Sequence, residues 1–373
     1  MTEMGKNRVI LIRADGSARI GIGHVMRCLA LAQALRRNGF TPAFIMKRYD
    51  DVAGEILARY QFAPIFLPDG IDETQDAVAV RKIVEERGAE LVILDNYDLG
   101  EPFRVAIRRA GCPLLVIDDL AEAGMVSANV ILNQNVGASV LVDRYHHIAP
   151  DAGIFLLGEK YSMFREDILE KGERARRERK ARLDELAHSG RKPDVLITFG
   201  GSDVRGLTPL AMEQLKVFHE LYHEVYVACG PGISGGRLRE HICTIARDIP
   251  RMSFLSQPDL SELMGTVDIA ITAGGSTAQE LAYFGVAMII IQVAENQRII
   301  CGGFQDKHLA KVLDMESRLE ENLSSAIGSL LQNPDEIKAF AEGGMRTFDG
   351  DGCTRIIHAL KDELLKDERA QED

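Results

Sequence analysis

Short aliphatic runs alternate with amphipathic stretches along most of the chain. In the first half, "VILI" (9–12), "AFIM" (43–46), "LVILD" (91–95), "LLVID" (114–118) and "VILN" (130–133) lack the polar alternation of a half-exposed strand, so they predict strands buried on both faces. Between them, "HVMRCLALAQALRRNG" and "DAVAVRKIVEERGA" carry apolar residues at helical spacing, the first closing on Gly39. A second series follows: "DVLITF" (194–199), "EVYVACG" (224–230), "MSFL" (252–255), "DIAITAGG" (268–275) and "AMIIIQV" (287–293). Buried strands alternating with helices predict βαβ units and parallel sheets, hence an α/β protein.

The alternation breaks at "REDILEKGERARRERKARLDELAHSGRKP", a dense run of charge that predicts a solvated helix followed by a linker. The expected organisation is a first α/β domain over 1–165, a charged linker over 166–193, a second α/β domain over 194–345, and a C-terminal helix with an acidic tail over 346–373. Two domains also suit a length of 373 residues, beyond what one hydrophobic core usually covers.

Composition narrows the partners. A formal net charge of −12 argues against nucleic acid or an anionic membrane surface, both of which favour basic faces. It leaves a nucleotide ligand open, because loops and helix N-termini bind phosphate without a basic surface. The six cysteines (Cys28, Cys112, Cys229, Cys243, Cys301, Cys353) are scattered without a C-x-x-C pair, which points to reduced thiols rather than zinc or a disulfide framework. The N-terminal apolar run is too short for a signal peptide and no stretch reaches membrane-spanning length, so a soluble cytoplasmic chain is expected.

The first candidate site follows the first strand, in "RADGSARIGIGHVMR". A strand entering a glycine-bracketed turn and then a helix presents backbone N–H groups to an anion. Gly21 and Gly23 allow a tight turn and close approach of a ligand. The third glycine of a dinucleotide fingerprint is missing, and Lys47, Arg48 and Tyr49 stand where that motif needs an acid, so a nicotinamide cofactor is not expected. No other cofactor is implied. His24 sits in the first helical turn, where the positive end of the helix dipole disfavours imidazolium; a neutral ring able to take a proton from water is the expected chemistry. Arg27 is placed to meet a phosphate, to pair with Asp15, or to lie on the surface. Asp118 and Asp119 end a strand and read as loop structure.

The second candidate site, "TAGGSTAQELAYFG" (272–285), repeats the logic: a strand, Gly274 and Gly275, then a helix ending at Gly285. A diphosphate over Gly275, Ser276 and Thr277 would meet free N–H donors. Glu280 has two readings, a hydrogen-bond acceptor for a ribose or the partner of Thr277 in a capping box. "FGGSD", with Gly201 and Ser202, and "AENQ", with Asn296 and Gln297, each follow a strand, at the end where open α/β sheets bind ligands. No D-x-D-like pair stands near either loop, and no metal is expected. One glycine-rich loop in each half suggests one ligand with two ends, a nucleoside diphosphate in the second domain and its sugar beside His24.

The stretches "RADGSARIGIGHVMRCLALA", "LVILDNYDL", "VIDDLA", "ILNQNVGA", "FGGSD" and "TAGGSTAQELAYFGVAMIIIQVAENQ", in this order, resemble the pseudaminic acid pathway hydrolases, which cleave UDP-2,4-diacetamido-2,4,6-trideoxy-β-L-altropyranose. The resemblance implies a GT-B architecture, two Rossmann-like domains with parallel sheets facing across a cleft. It also implies metal-independent loss of UDP: water, activated by His24, attacks the anomeric carbon with inversion. By the same transfer Tyr97 lines the sugar pocket, and Gly275, Ser276 and Glu280 hold UDP. The GGST-type segment is shared with glycosyltransferases, so transfer of the sugar to an acceptor is the main rival; a sugar-nucleotide-binding protein without catalysis is a second.

Overall fold

The computed structural model describes residues 8–364 apart from 18–20, 123, 202, 204, 234 and 316–317. The chain forms two compact units. One runs up to Arg165 and takes back the segment from Asp351 onward; the other is Glu166–Gly350.

The first unit is built on seven strands: β1 (Arg8–Ala14), β2 (Phe40–Met46), β3 (Ile65–Phe66), β4 (Leu91–Asp95), β5 (Leu114–Ile117), β6 (Val130–Asn133) and β7 (Ile154–Leu157). They pair in the order β3-β2-β1-β4-β5-β6-β7, every pair parallel. Ile10, Ile12, Leu91, Ile93, Leu115 and Leu132 join the core on one face, and Leu11, Val92, Leu94, Leu114 and Ile131 the core on the other. Burial on both faces is why these strands are continuously aliphatic.

The second unit holds β8 (Val195–Thr198), β9 (Val225–Cys229), β10 (Met252–Ser256), β11 (Ile269–Ala273), β12 (Ala287–Ile291) and β13 (Lys311–Leu313), ordered β10-β9-β8-β11-β12-β13 and again all parallel. In both units the strand order reverses direction beside the unit's first strand, between β1 and β4 and between β8 and β11. Such a switch point opens a crevice at the carboxyl ends of the strands.

Two expectations about the joins change. The charged stretch 166–193 does form the expected helix, Glu166–His188, but that helix is not simply solvated: it belongs to the second unit and packs on its helices Leu260–Thr266 and Pro334–Thr347. Ile168, Leu183 and Leu186 face the core, and even Arg179 is buried, donating to the carbonyls of Phe284 (3.0 Å), Val267 (2.7 Å) and Met264 (2.9 Å). Burial and the neighbouring Arg182 and Arg191 charges bring its pKa down to about 10. The other change is at the C-terminus. The helix Gly352–Glu363 belongs to the first unit, where Cys353, Ile356, Ile357 and Leu360 pack among Val25, Leu29 and Met163. The tail beyond 364 lies outside the described residues. Among the described residues no helix is long and apolar enough to cross a membrane.

Candidate functional site

At the first unit's switch point, β1 ends at Ala14 and the chain returns as the helix Gly23–Arg37. Gly21 has φ +89°, a conformation costly for other residues, and it exchanges two backbone hydrogen bonds with Ser17 (2.9 and 3.1 Å). A Cβ on Gly16 would lie 2.7 Å from Val25 Cγ2, so that glycine lets the loop lie on the helix. Gly23 is the first helical residue and His24 the second.

The ring of His24 meets the end of the neighbouring strand. Its Nδ1 lies 2.5 Å from Oδ1 of Asp95, the last residue of β4. Asp95 is fully buried, and its other oxygen accepts from Arg27 Nε at 2.7 Å, while Oδ1 also accepts from Arg27 Nη2 at 2.7 Å. Burial alone would raise the pKa of this carboxyl, but the Arg27 guanidinium and the His24 ring hold it well below the usual carboxylate range. An ionised carboxylate against Nδ1 keeps the ring proton there, which leaves Nε2 as the nitrogen with the free lone pair. The His24 side chain is 23 % exposed, so the ring is seated without being sealed off.

Arg27 does not pair with Asp15. Its Nη1 reaches both oxygens of Asp119 (2.8 and 3.0 Å), making it a bridge between two buried carboxylates. Asp119 also accepts from the Tyr97 hydroxyl and from Asn135 Nδ2 (2.8 Å). Burial works against its ionisation, yet Arg27 holds its pKa below the ordinary value. Tyr97 packs edge-on against His24, ring centroids 4.7 Å apart, while about half of the residue stays exposed. Partial burial and then the Asp119 charge push its phenol above the usual range.

Asp15 serves the scaffold of this edge. It accepts both Nη atoms of Arg13 (2.6 and 2.9 Å), the backbone N–H of Lys47 (2.7 Å) and Asn96 Nδ2 (2.7 Å), tying together the ends of β1, β2 and β4. Arg13 is held from its other side by buried Asp76. Asp118 accepts from the N–H groups of Leu120 and Ala121 and from Tyr145, which is loop structure; Asp119, expected to be the same, is instead part of the His24 cluster.

The second unit's switch point carries two glycine pairs of its own, one after β11 and one after β8. After β11, Gly275 caps the helix Ser276–Tyr283, with no side chain bonded at the cap. Thr277 is therefore inside the helix and is not the head of a capping box. In its first turn the Ala278 N–H donates to the Gly275 carbonyl (3.0 Å), while the N–H groups of Ser276 and Thr277 precede the first acceptor the helix can offer. The two glycines differ: a Cβ on Gly274 would sit 2.2 Å from Cys301 Sγ, whereas one on Gly275 would touch nothing within 4 Å. Glu280 lies half-buried one turn into this helix. After β8, Gly200 (φ +76°) and exposed Gly201 cover Gly230, which would clash with Gly201 if it had a Cβ. Asp203 accepts from the N–H groups of Leu207 and Thr208 (2.9 Å each), so it caps the following helix. Ser202 lies outside the described residues. Asn296 is exposed, and Gln297 uses its Oε1 to accept from Val293 N–H (2.9 Å), which shapes its own loop.

Thus His24, Arg27 and Tyr97 share one cluster, while Gly201, Gly274, Gly275, Ser276, Thr277 and Glu280 lie on the loops and helix start at the second switch point. Asp95 and Asn135 were missing from the sequence reading, and Asp119 was read there as loop structure. Asp95 had a signal, an acid closing a buried strand; the other two reach the cluster only through folding. Among the described residues no group of three or more His, Cys, Asp and Glu side chains is arranged to hold a metal ion.

The two Rossmann-like units make this a GT-B fold. It matches a putative UDP-N-acetylglucosamine 2-epimerase from Listeria monocytogenes with a TM-score of 0.65 at 14 % identity, over 97 % of this chain and 98 % of that one. It matches Acinetobacter baumannii MurG with a TM-score of 0.62 at 15 % identity, over 95 % and 99 %. No family model matches the chain. By sequence it is similar to an uncharacterized protein of Methanocaldococcus jannaschii, MJ1062, at 25 % identity over 292 residues, 78 % of this chain. The match takes in only 56 % of that relative, so the chain spans little more than half its length. It is also similar to UDP-2,4-diacetamido-2,4,6-trideoxy-beta-L-altropyranose hydrolase of Campylobacter jejuni, at 22 % identity over 293 residues, 77 % of this chain and 93 % of the hydrolase.

Proposed function

We propose that the chain hydrolyses a UDP-linked 2,4-diacetamido-2,4,6-trideoxy sugar to UDP and the free sugar. The observation that carries this reading is the Asp95–His24 pair at 2.5 Å, with the ring's second nitrogen left to act. Water is a poor nucleophile and UDP a good leaving group, so one positioned base is the main requirement. Nε2 of His24 takes a proton as the water oxygen bonds to the anomeric carbon. The C–O bond to UDP breaks with its electron pair leaving on the diphosphate, and the anomeric centre inverts. Asp95 stabilises the imidazolium without itself taking the proton. UDP is assigned to the second unit, its diphosphate over Gly275, Ser276 and Thr277 and its ribose near Glu280, with Gly201, Ser202, Gly274, Asn296 and Gln297 around it. Tyr97 is assigned to the sugar. The likeness to the Campylobacter hydrolase supports the substrate class, whereas the fold alone fits other UDP-sugar chemistry equally well.

The test is an NMR time course on candidate UDP-diacetamido sugars in ¹⁸O water, without an acceptor. Release of UDP with label in the sugar is expected, and His24→Asn should slow it by roughly 10²–10⁴, the range a positioned base supplies. Label in UDP would mean attack at phosphorus. Turnover that begins only on adding an acceptor would make the chain a transferase instead.

A further inference from the structure

The Arg27 bridge does more than fill a buried space. Oδ1 of Asp95 is shared between His24 Nδ1 (2.5 Å) and Arg27 Nη2 (2.7 Å), and Nη2 itself lies only 3.3 Å from Nδ1. One oxygen thus accepts from both donors, so where the guanidinium sits sets how Oδ1 is presented to the ring. What holds the guanidinium there is Asp119, which takes Nη1 on both of its oxygens. Asp119 is itself held by Asn135 Nδ2 and by the Tyr97 hydroxyl. The tyrosine ring, in turn, stands edge-on to His24.

We propose that Asp119 is a positioning residue for His24, which acts through Arg27 and Tyr97 to keep Asp95 turned to the ring and the ring proton on Nδ1. Two independent connections run from Asp119 to the imidazole: the guanidinium and Asp95 on one side, the phenol on the other. Charge supports the same role. Two carboxylates share one guanidinium, so the Asp95–Arg27–Asp119 group presents one net negative charge to the ring. That charge is set in place before an imidazolium forms, with no reorganisation needed at that moment. With Asp119 neutral, Arg27 would be left to Asp95 alone and the net charge would vanish. The kinetic part of this inference rests on the hydrolase reading; the tautomer part does not.

The deciding measurement is therefore made on the ligand-free protein. Long-range ¹H–¹⁵N spectra of the histidine rings, with His24 assigned by its loss in His24→Asn, should show a single Nδ1–H tautomer in the wild type. Asp119→Asn, nearly isosteric, should show an exchanging mixture of tautomers. Arg27→Lys should do the same, since an ammonium cannot span both carboxylates with a planar fork. It carries the test if Asp119→Asn does not fold. With substrate, kcat should fall roughly 10- to 100-fold, the effect of a misplaced reacting group, with KM nearly unchanged. A folded variant that keeps one Nδ1–H tautomer overturns the proposal. If the wild type hydrolyses nothing, the functional reading fails and the tautomers still decide this one.

Discussion

At the scale of the residue, the sequence places His24 at a helix start, and the structure adds a buried carboxylate on Nδ1, which fixes the ring's tautomer and stabilises the imidazolium once it forms. That shifts weight onto Asp95, whose substitution is the sharper probe. Asp95→Asn preserves shape, but its amide group either donates to Nδ1 or accepts weakly, so the tautomer is no longer fixed. A fall in kcat of roughly 10²–10⁴ with little change in KM is expected, and steady-state kinetics check it. The same variant should alter stability with a definite sign. The folded-state pKa of Asp95 is depressed, so the stability from its ionisation is complete above the unfolded value of about 3.9 and is lost as pH falls through the folded value. Denaturant unfolding should therefore show Asp95→Asn most destabilised near neutrality and closest to the wild type in acid. A stability gap that stays constant with pH would mean that Asp95 is not held ionised by Arg27 and His24.

Elements assign different roles to residues that look alike in the sequence. Gly274 and Gly275 read as one phosphate-binding pair, yet Gly274 makes room for Cys301 and Gly275 faces open space. Gly274→Ala should cost about 1–3 kcal/mol through overpacking, and Cys301→Ala in the same chain should relieve much of it. Gly275→Ala should leave the melting temperature nearly unchanged and raise KM for the UDP-sugar, because a methyl group there occupies the approach to the helix N-terminus. A normal KM in folded Gly275→Ala would remove this loop from the nucleotide site. Strands such as "LVILD" and "AMIII" were legible because burial on both faces writes itself as unbroken aliphatic sequence. The two-residue β3, β7 and the three-residue β13, all only partly buried over much of their length, carried too weak a pattern. The charged helix Glu166–His188 misled for a related reason: half-buried Arg176 and buried Arg179 look solvated in sequence, yet backbone carbonyls from distant elements accept from both, with Asp268 beside Arg179 and the Tyr283 ring beside Arg176. For the candidate site, the loops were legible and the carboxylates were not, since His24–Asp95 and Arg27–Asp119 join residues 71 and 92 positions apart.

At the scale of the whole molecule, the chain leaves the first unit at Arg165, builds the second, and returns with the helix Gly352–Glu363 to complete the first. The return is tightly fitted, since a Cβ on Gly352 would lie 2.0 Å from the Ser162 carbonyl oxygen. Cys353, Ile356, Ile357 and Leu360 are buried there beside Val25, Cys28 and Leu29, on the helix that carries His24 and Arg27. Burying three aliphatic side chains and a thiol is worth roughly 5–8 kcal/mol, an upper estimate but comparable to the whole stability of a domain. The two units should therefore respond differently to losing the last helix. A chain ending at Gly350 is expected to keep the second unit's calorimetric transition and its UDP binding by titration, while the first unit's transition moves down sharply or disappears and hydrolysis goes with it. Should the shortened chain keep both transitions and full turnover, the helix would be a surface addition. If instead both transitions collapse together, the second unit depends on the first to fold. The separate responses follow from where the core contacts lie: among the described residues, the returning helix supplies its buried apolar side chains to the first unit's core, directly behind the helix that carries His24.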